Sequence, residues 1–196
     1  VDLNNKSIIG NIAVSGWTEA IIVQNNYAYV SCPGSSLIYK IDVSTHELVD
    51  SVATSYSPLD LVIDKNNSLW VVCSGNWGLN DGTLEKINLN TFTSEQVIQL
   101  NSYPSELCVN HDLSQLYWLA DGVKELNVDQ TATINSIIPS GTGYFYGLGI
   151  HPNSNDIYIT DAIDFVQAGK LYRYNALGAV LDSATLGINP HALFFK

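Results

Sequence analysis

The chain has 196 residues, 46% hydrophobic and only 14% charged, which supplies a sizeable apolar core and excludes a disordered, charge-solvated polymer. Its 8 Lys and Arg against 19 Asp and Glu leave a net charge of −11, a balance that repels phosphate backbones and anionic lipid and suits cations or neutral ligands. No apolar run approaches the roughly 18–20 residues of a membrane-crossing helix.

In chain order, residues 1–7 repeat the pattern of 41–47, so the chain is expected to enter at the end of one strand and run on through the next. A first unit then predicts four strands, A to D, over 19–23, 28–32, 38–42 and 48–53. A second spans 60–64, 69–73, 84–88 and 95–100. A third spans 106–110, 116–120, 123–127 and 133–138, and a fourth 147–151, 157–161, 171–175 and 180–185. A lone strand A is expected over 191–195. The A strands recur every 41 to 46 residues. Tyr29, Trp70, Tyr117 and Tyr158 form one aromatic column through the B strands, and the C strands end in Asp42, Asn88, Asn127 and Asn175, residues suited to the turn that must follow.

Short runs rich in β-branched and aromatic residues, punctuated by Asn, Gly, Pro and Ser, read as strands. A four-stranded unit cannot bury both of its faces alone, whereas units packed face to face around an axis can. The reading is therefore all-β: a β-propeller with four complete four-stranded blades and parts of a fifth, one domain over 1–196, expected to be a fragment of a six- to eight-bladed ring. The three cysteines, Cys32, Cys73 and Cys108, fall inside apolar strand patterns without C-x-x-C spacing, and are expected as buried free thiols.

In a propeller the D–A and B–C connections share one face. Here that face collects Trp17, Tyr56, Tyr103, Tyr144, Phe145 and Tyr146 from D–A connections, and Trp77, Asp161 and Phe165 from B–C loops. The second and fourth B–C loops are longer than the others, and long loops on a rigid scaffold concentrate function. Aromatic planes with Asn and Asp between them suit a ring-bearing ligand. The expected ligand contacts are Trp17, Tyr56, Trp77, Tyr103, Tyr144, Tyr146, Asp161 and Phe165, with Trp77 and Tyr146 bordering one pocket. Glu19, Asp60, Glu106 and His191 open their A strands, with Gly147 in the remaining place. Converging carboxylates and an imidazole at the channel mouth are a candidate divalent-cation site or acid–base pair; the plain alternative is channel water or backbone capping. His46, His111 and His151 are expected at solvated turns. No nucleophile elbow, zinc helix or phosphate loop occurs, and residues 141–143 (Gly-Thr-Gly) are read as a turn.

Residues 57–64 (SPLDLVID), followed by 69–73 (LWVVC) and Gly75, resemble the blade signature of YVTN/YncE-like propellers of Bacteroidetes. Residues 160–162 (TDA), 169–174 (GKLYRY) and 187–191 (GINPH) resemble the end of that group. The resemblance spans essentially the whole chain. It implies a cell-envelope location, periplasmic or extracellular. A further implication comes from surface lipoproteins like this group that bind vitamin B12 and pass it to an outer-membrane transporter. The expected function is a non-catalytic propeller that binds a corrinoid, a glycan or a protein partner through its aromatic loop face. Two alternatives stay open: a metal-dependent hydrolase of the lactonase type with Glu19, Asp60 and Glu106 as ligands, and a pure scaffold or adhesin.

Overall fold

In a computed structural model that describes residues 1–130 and 133–195, the repeat becomes sixteen strands and no helix. Blade 1 is β1 (Ile21–Gln24), β2 (Tyr27–Cys32), β3 (Leu37–Asp42) and β4 (Glu47–Ala53). Blade 2 is β5 (Pro58–Ile63), β6 (Ser68–Cys73), β7 (Thr83–Asn88) and β8 (Thr93–Gln99). Blade 3 is β9 (Ser105–Val109), β10 (Gln115–Leu119), β11 (Gly122–Asn127) and β12 (Asn135–Pro139). Blade 4 is β13 (Phe145–Ile150), β14 (Ile157–Asp161), β15 (Lys170–Tyr174) and β16 (Val180–Thr185). Each blade is an antiparallel meander in chain order.

The core lies between blades. Tyr29 and Ile38 of blade 1 pack with Leu61, Leu69 and Val71 of blade 2. Trp70, Val72 and Leu84 of blade 2 pack with Leu107, Leu116 and Trp118 of blade 3. Tyr117, Leu119 and Val123 of blade 3 pack with Leu148, Ile157 and Ile159 of blade 4. The aromatic column therefore supplies one large side chain to each interface, and each buried ring contributes about 1.5–3 kcal/mol from area alone. Tyr158, the last of the column, packs edge-on against Phe195.

The turns after the C strands follow from their Asp and Asn. The Asp42 carboxylate accepts the amides of Ser44 and Thr45, Asn88 accepts those of Asn90 and Thr91, and Asn175 accepts those of Leu177 and Ala179. Asp2 repeats the arrangement with Asn4 and Asn5, as the likeness of 1–7 to 41–47 predicted.

Parts of the fifth unit differ from expectation. Residues 191–195 carry a strand-like pattern but form no strand, because no neighbouring strand offers them a ladder. They lie instead across β13, where Gly147 and Gly149 leave room: a Cβ on Gly147 would sit 1.9 Å from the His191 carbonyl, and one on Gly149 3.0 Å from the Phe195 ring. At the other end, Val14 covers the free face of blade 1 over Val30, Tyr39 and Ile41. Cys32 and Cys73 are buried free thiols and Cys108 is half-buried; burial, with Glu85 beside it, pushes the Cys73 thiol up to about 12.

Candidate functional site

The face carrying the D–A and B–C connections takes its shape from unequal loops. In blade 3 the β10–β11 connection is minimal, with Asp121 at φ 52° and Gly122 at φ 95° closing it. The corresponding loops of blades 2 and 4 are long. The notch above blade 3 is walled by the blade-2 loop on one side and by the β12–β13 connection on the other, forming a cavity of about 540 Å³ open to solvent.

One wall is the blade-2 loop, folded into a small hairpin of its own. Asn76 and Asn80 exchange both amide–carbonyl bonds, at 2.9 Å each, and Gly78 takes φ 80° at the tip. The tip presents Trp77, whose ring stacks on Tyr103 with centroids 4.3 Å apart. The Tyr103 hydroxyl accepts the Gly78 amide at 2.8 Å, which ties the loop to the β8–β9 connection. Trp77 nevertheless remains 81% exposed, so it is a platform rather than a plug between blades.

The opposite wall is the β12–β13 connection, with Gly143, Tyr144 and Phe145. Its position is set by Asp161, which is buried and whose Oδ1 accepts the amides of Tyr144 and Ile163, both at 2.8 Å. A Cβ on Gly143 would run into that carboxylate, so any larger residue there would have to displace Asp161 from the amides it holds. Asp161 therefore holds the wall rather than facing the cavity. Tyr144 leads away into a ring cluster with Phe165 at 5.0 Å and Tyr146 at 6.1 Å, and Tyr146 continues to His191 at 4.6 Å.

Of the eight expected ligand contacts, Trp77, Tyr103 and Tyr144 line the cavity. Tyr146 and Phe165 belong to the adjoining cluster, so Trp77 and Tyr146 do not border the same pocket. Trp17 lies over Gly34 on blade 1, and Tyr56 is exposed on the blade 1–2 connection. The cavity's polar lining, Asn101, Ser102, Ser105, Asp121 and Ser140, went unread in the sequence. The contrast between a minimal third B–C turn and two long neighbours was the available signal.

The acidic ring is less regular than its spacing suggests. Asp60 lies opposite Val72 and Gly147 opposite Thr160, but Glu106 sits in a β-bulge at φ 46°. In blade 1 a two-residue turn, Asn25–Asn26, replaces a three-residue one, so β1 slides by one position. Glu19 and Ala20 then share Ser31, whose carbonyl accepts the Glu19 amide and whose amide donates to the Ala20 carbonyl, and Glu19 is exposed. Asp60 is a stitch between blades: its two oxygens accept Leu61 N at 2.8 Å and Leu107 N at 2.9 Å. Burial raises the Asp60 carboxyl above its ordinary value, against the pull of those amides. Glu106 is raised by burial too, and the His191 Nε2 at 3.1 Å from its Oε1 pulls the other way. Glu19, Asp60 and Glu106 do line one small cavity, of about 210 Å³, with His191 bonded to Glu106, but among the described residues no three His, Cys, Asp or Glu side chains are arranged to hold a metal ion. His46 and His111 are exposed, whereas His151 caps its turn through Nδ1, toward the Asn153 and Ser154 amides.

No family model and no curated protein matches the chain. Solved structures do. Hydrazine synthase of Kuenenia stuttgartiensis superposes with a TM-score of 0.80 at 17% identity, over 97% of this chain and 68% of that one. The β-propeller domain of Cps50 (Swd1) from Myceliophteria thermophila gives 0.73 at 11%, over 91% and 59%. Dihydro-heme d1 dehydrogenase NirN, in complex with DHE, gives 0.65 at 11%, over 90% and 39%. At these identities the likeness shows the propeller fold and nothing finer.

Proposed function

We propose that the chain is a non-catalytic propeller of the cell envelope that takes a small ring-bearing ligand into the groove above blade 3. Trp77 carries this reading. A large indole held exposed on a pinned loop, stacked on one face and open on the other, wastes apolar area unless something covers it. The envelope location rests on the blade signature alone, which also makes a corrinoid the first compound to try, a glycan the second, and an outer-membrane transporter the partner to look for. The lactonase-type alternative would draw on Glu19, Asp60 and Glu106, which line one small cavity, but among the described residues no three acidic, histidine or cysteine side chains form a metal-holding cluster there. A scaffold or adhesin would leave the groove empty, which the same experiment decides.

Trp77→Ala should weaken ligand binding about ten- to hundredfold, as expected from losing roughly 1.5–3 kcal/mol of aromatic burial. The melting temperature should barely move, because the side chain fills no core. Calorimetric titration and thermal unfolding of both proteins check this. Loss of the fold in the variant, or unchanged affinity, would remove the groove from consideration.

A further inference from the structure

Resting on the groove as the binding site, we infer that its ligand is a neutral oligosaccharide. The lining is divided by chemistry. On one side stands the Trp77–Tyr103 stack, a flat apolar surface with one face free. Around it lie amide, hydroxyl and carboxylate groups: Asn101, Ser102 and Ser105 flank Tyr103 on the β8–β9 side, while Asp121 stands on the β10–β11 turn and Ser140 on the β12–β13 side, where Tyr144 and Phe145 add two more rings. The Ser140 hydroxyl donates to Asp121 Oδ1 at 2.7 Å, and Asp121 is exposed, so its other oxygen is available to accept.

A pyranose matches this division. Its axial C–H groups make one face apolar and suited to an aromatic plane, while its rim carries hydroxyls that both donate and accept. Carboxylates and side-chain amides are efficient partners for such hydroxyls because they accept or donate in pairs. A flat apolar ring with few donors or acceptors at its rim would leave those groups desolvated without partners, at a cost. Charge removes the acidic sugars. No Lys, Arg or His lines the groove among the described residues, one carboxylate does, and the chain as a whole carries −11. A phosphate, sulfate or uronate would enter against that field. The cavity, about 540 Å³, lies within the roughly 300–1,000 Å³ typical of small-molecule clefts.

The experiment titrates the whole chain with neutral oligosaccharides of glucose, mannose, galactose and N-acetylglucosamine. Oligogalacturonate serves as the anionic control and cobinamide as a ring ligand that is not a sugar. At least one neutral oligosaccharide should bind, with affinity unchanged between low and high salt. That affinity should fall about ten- to hundredfold in Trp77→Ala and about tenfold in Asp121→Ala. Oligogalacturonate should not bind. If cobinamide binds in a Trp77-dependent manner and no neutral sugar does, the groove stands and the sugar inference falls. A sugar that binds equally well to Trp77→Ala sinks the groove itself, and no binding of any of these compounds overturns the inference.

Discussion

Asp64 shows how much one short side chain settles. Its Oδ1 accepts the amides of Asn66 and Ser68, both at 2.9 Å, and its Oδ2 accepts the indole N–H of Trp70 at 2.8 Å. Trp70 is fully buried between blades 2 and 3, so its N–H has no other outlet. Asp64→Ala should cost roughly 2–4 kcal/mol, since it strands a buried donor and two turn amides together. Urea unfolding followed by tryptophan fluorescence would measure it, and a cost under about 1 kcal/mol would mean that water replaces the carboxylate. The aromatic column and the Asp or Asn ending each C strand were legible because their chemistry is local: a ring at a buried strand position, an acceptor at a turn. Glu19, Asp60 and Glu106 do meet at one cavity, but the strand register of Glu19 and Glu106 was not legible, for an equally physical reason. Equal spacing in sequence conceals whether the intervening residues are used in a turn or in a bulge, and either choice re-aims the side chain.

At the scale of elements, the segment 190–195 is the clearest case where local pattern and structure part. Its alternation is that of a strand, yet strand geometry is a property of a pair, and among the described residues β13 is laddered only to β14 and no strand pairs with the segment. What holds the segment is close approach to glycine, helped by the Thr160 hydroxyl, 3.4 Å from the His191 carbonyl. Gly147→Ala places a methyl group where that carbonyl lies, and should release the segment while leaving blade 4 intact. Carboxypeptidase should then trim the variant faster than the parent, with thermal unfolding shifted by only a few degrees. Equal trimming rates would show that Phe195 on Tyr158 is the stronger anchor. The site followed the same rule. The aromatics were legible one by one, but which of them share a cavity depends on loop lengths in three different blades.

Across the whole molecule, among the described residues, the apolar interfaces join blades that follow one another, blade 1 on 2, 2 on 3 and 3 on 4. Such a stack resembles a one-dimensional array, in which each unit is held chiefly by its interfaces with its neighbours. Hydrogen exchange should therefore be slowest in β6 and β10, where Trp70, Val71 and Leu116 are sealed, and fastest in β16, which is exposed along its length. Blade 1 should exchange faster than blade 2 despite similar strand composition. Uniform protection across all four blades would point instead to a single cooperative unit. The repeat fixed this order in advance; the faces left to Val14 and Phe195 at the two ends could not be foreseen, because nothing in a repeating unit specifies what lies beyond it.

The minimal β10–β11 turn has a consequence for how such a protein acquires new specificities. The turn stands at the tip of two strands whose register is set by buried residues well below it, Leu116, Trp118, Val123 and Leu126. Loop lengthening at a surface tip carries a small entropic penalty, about 0.6 kcal/mol per doubling. Insertions beside Asp121 would therefore fill, narrow or divide the groove while the interfaces between blades stay as they are. Recognition and folding are thus encoded in separate residues of the same hairpin, so a lineage could exchange one ligand for another by indels at this tip without renegotiating its core.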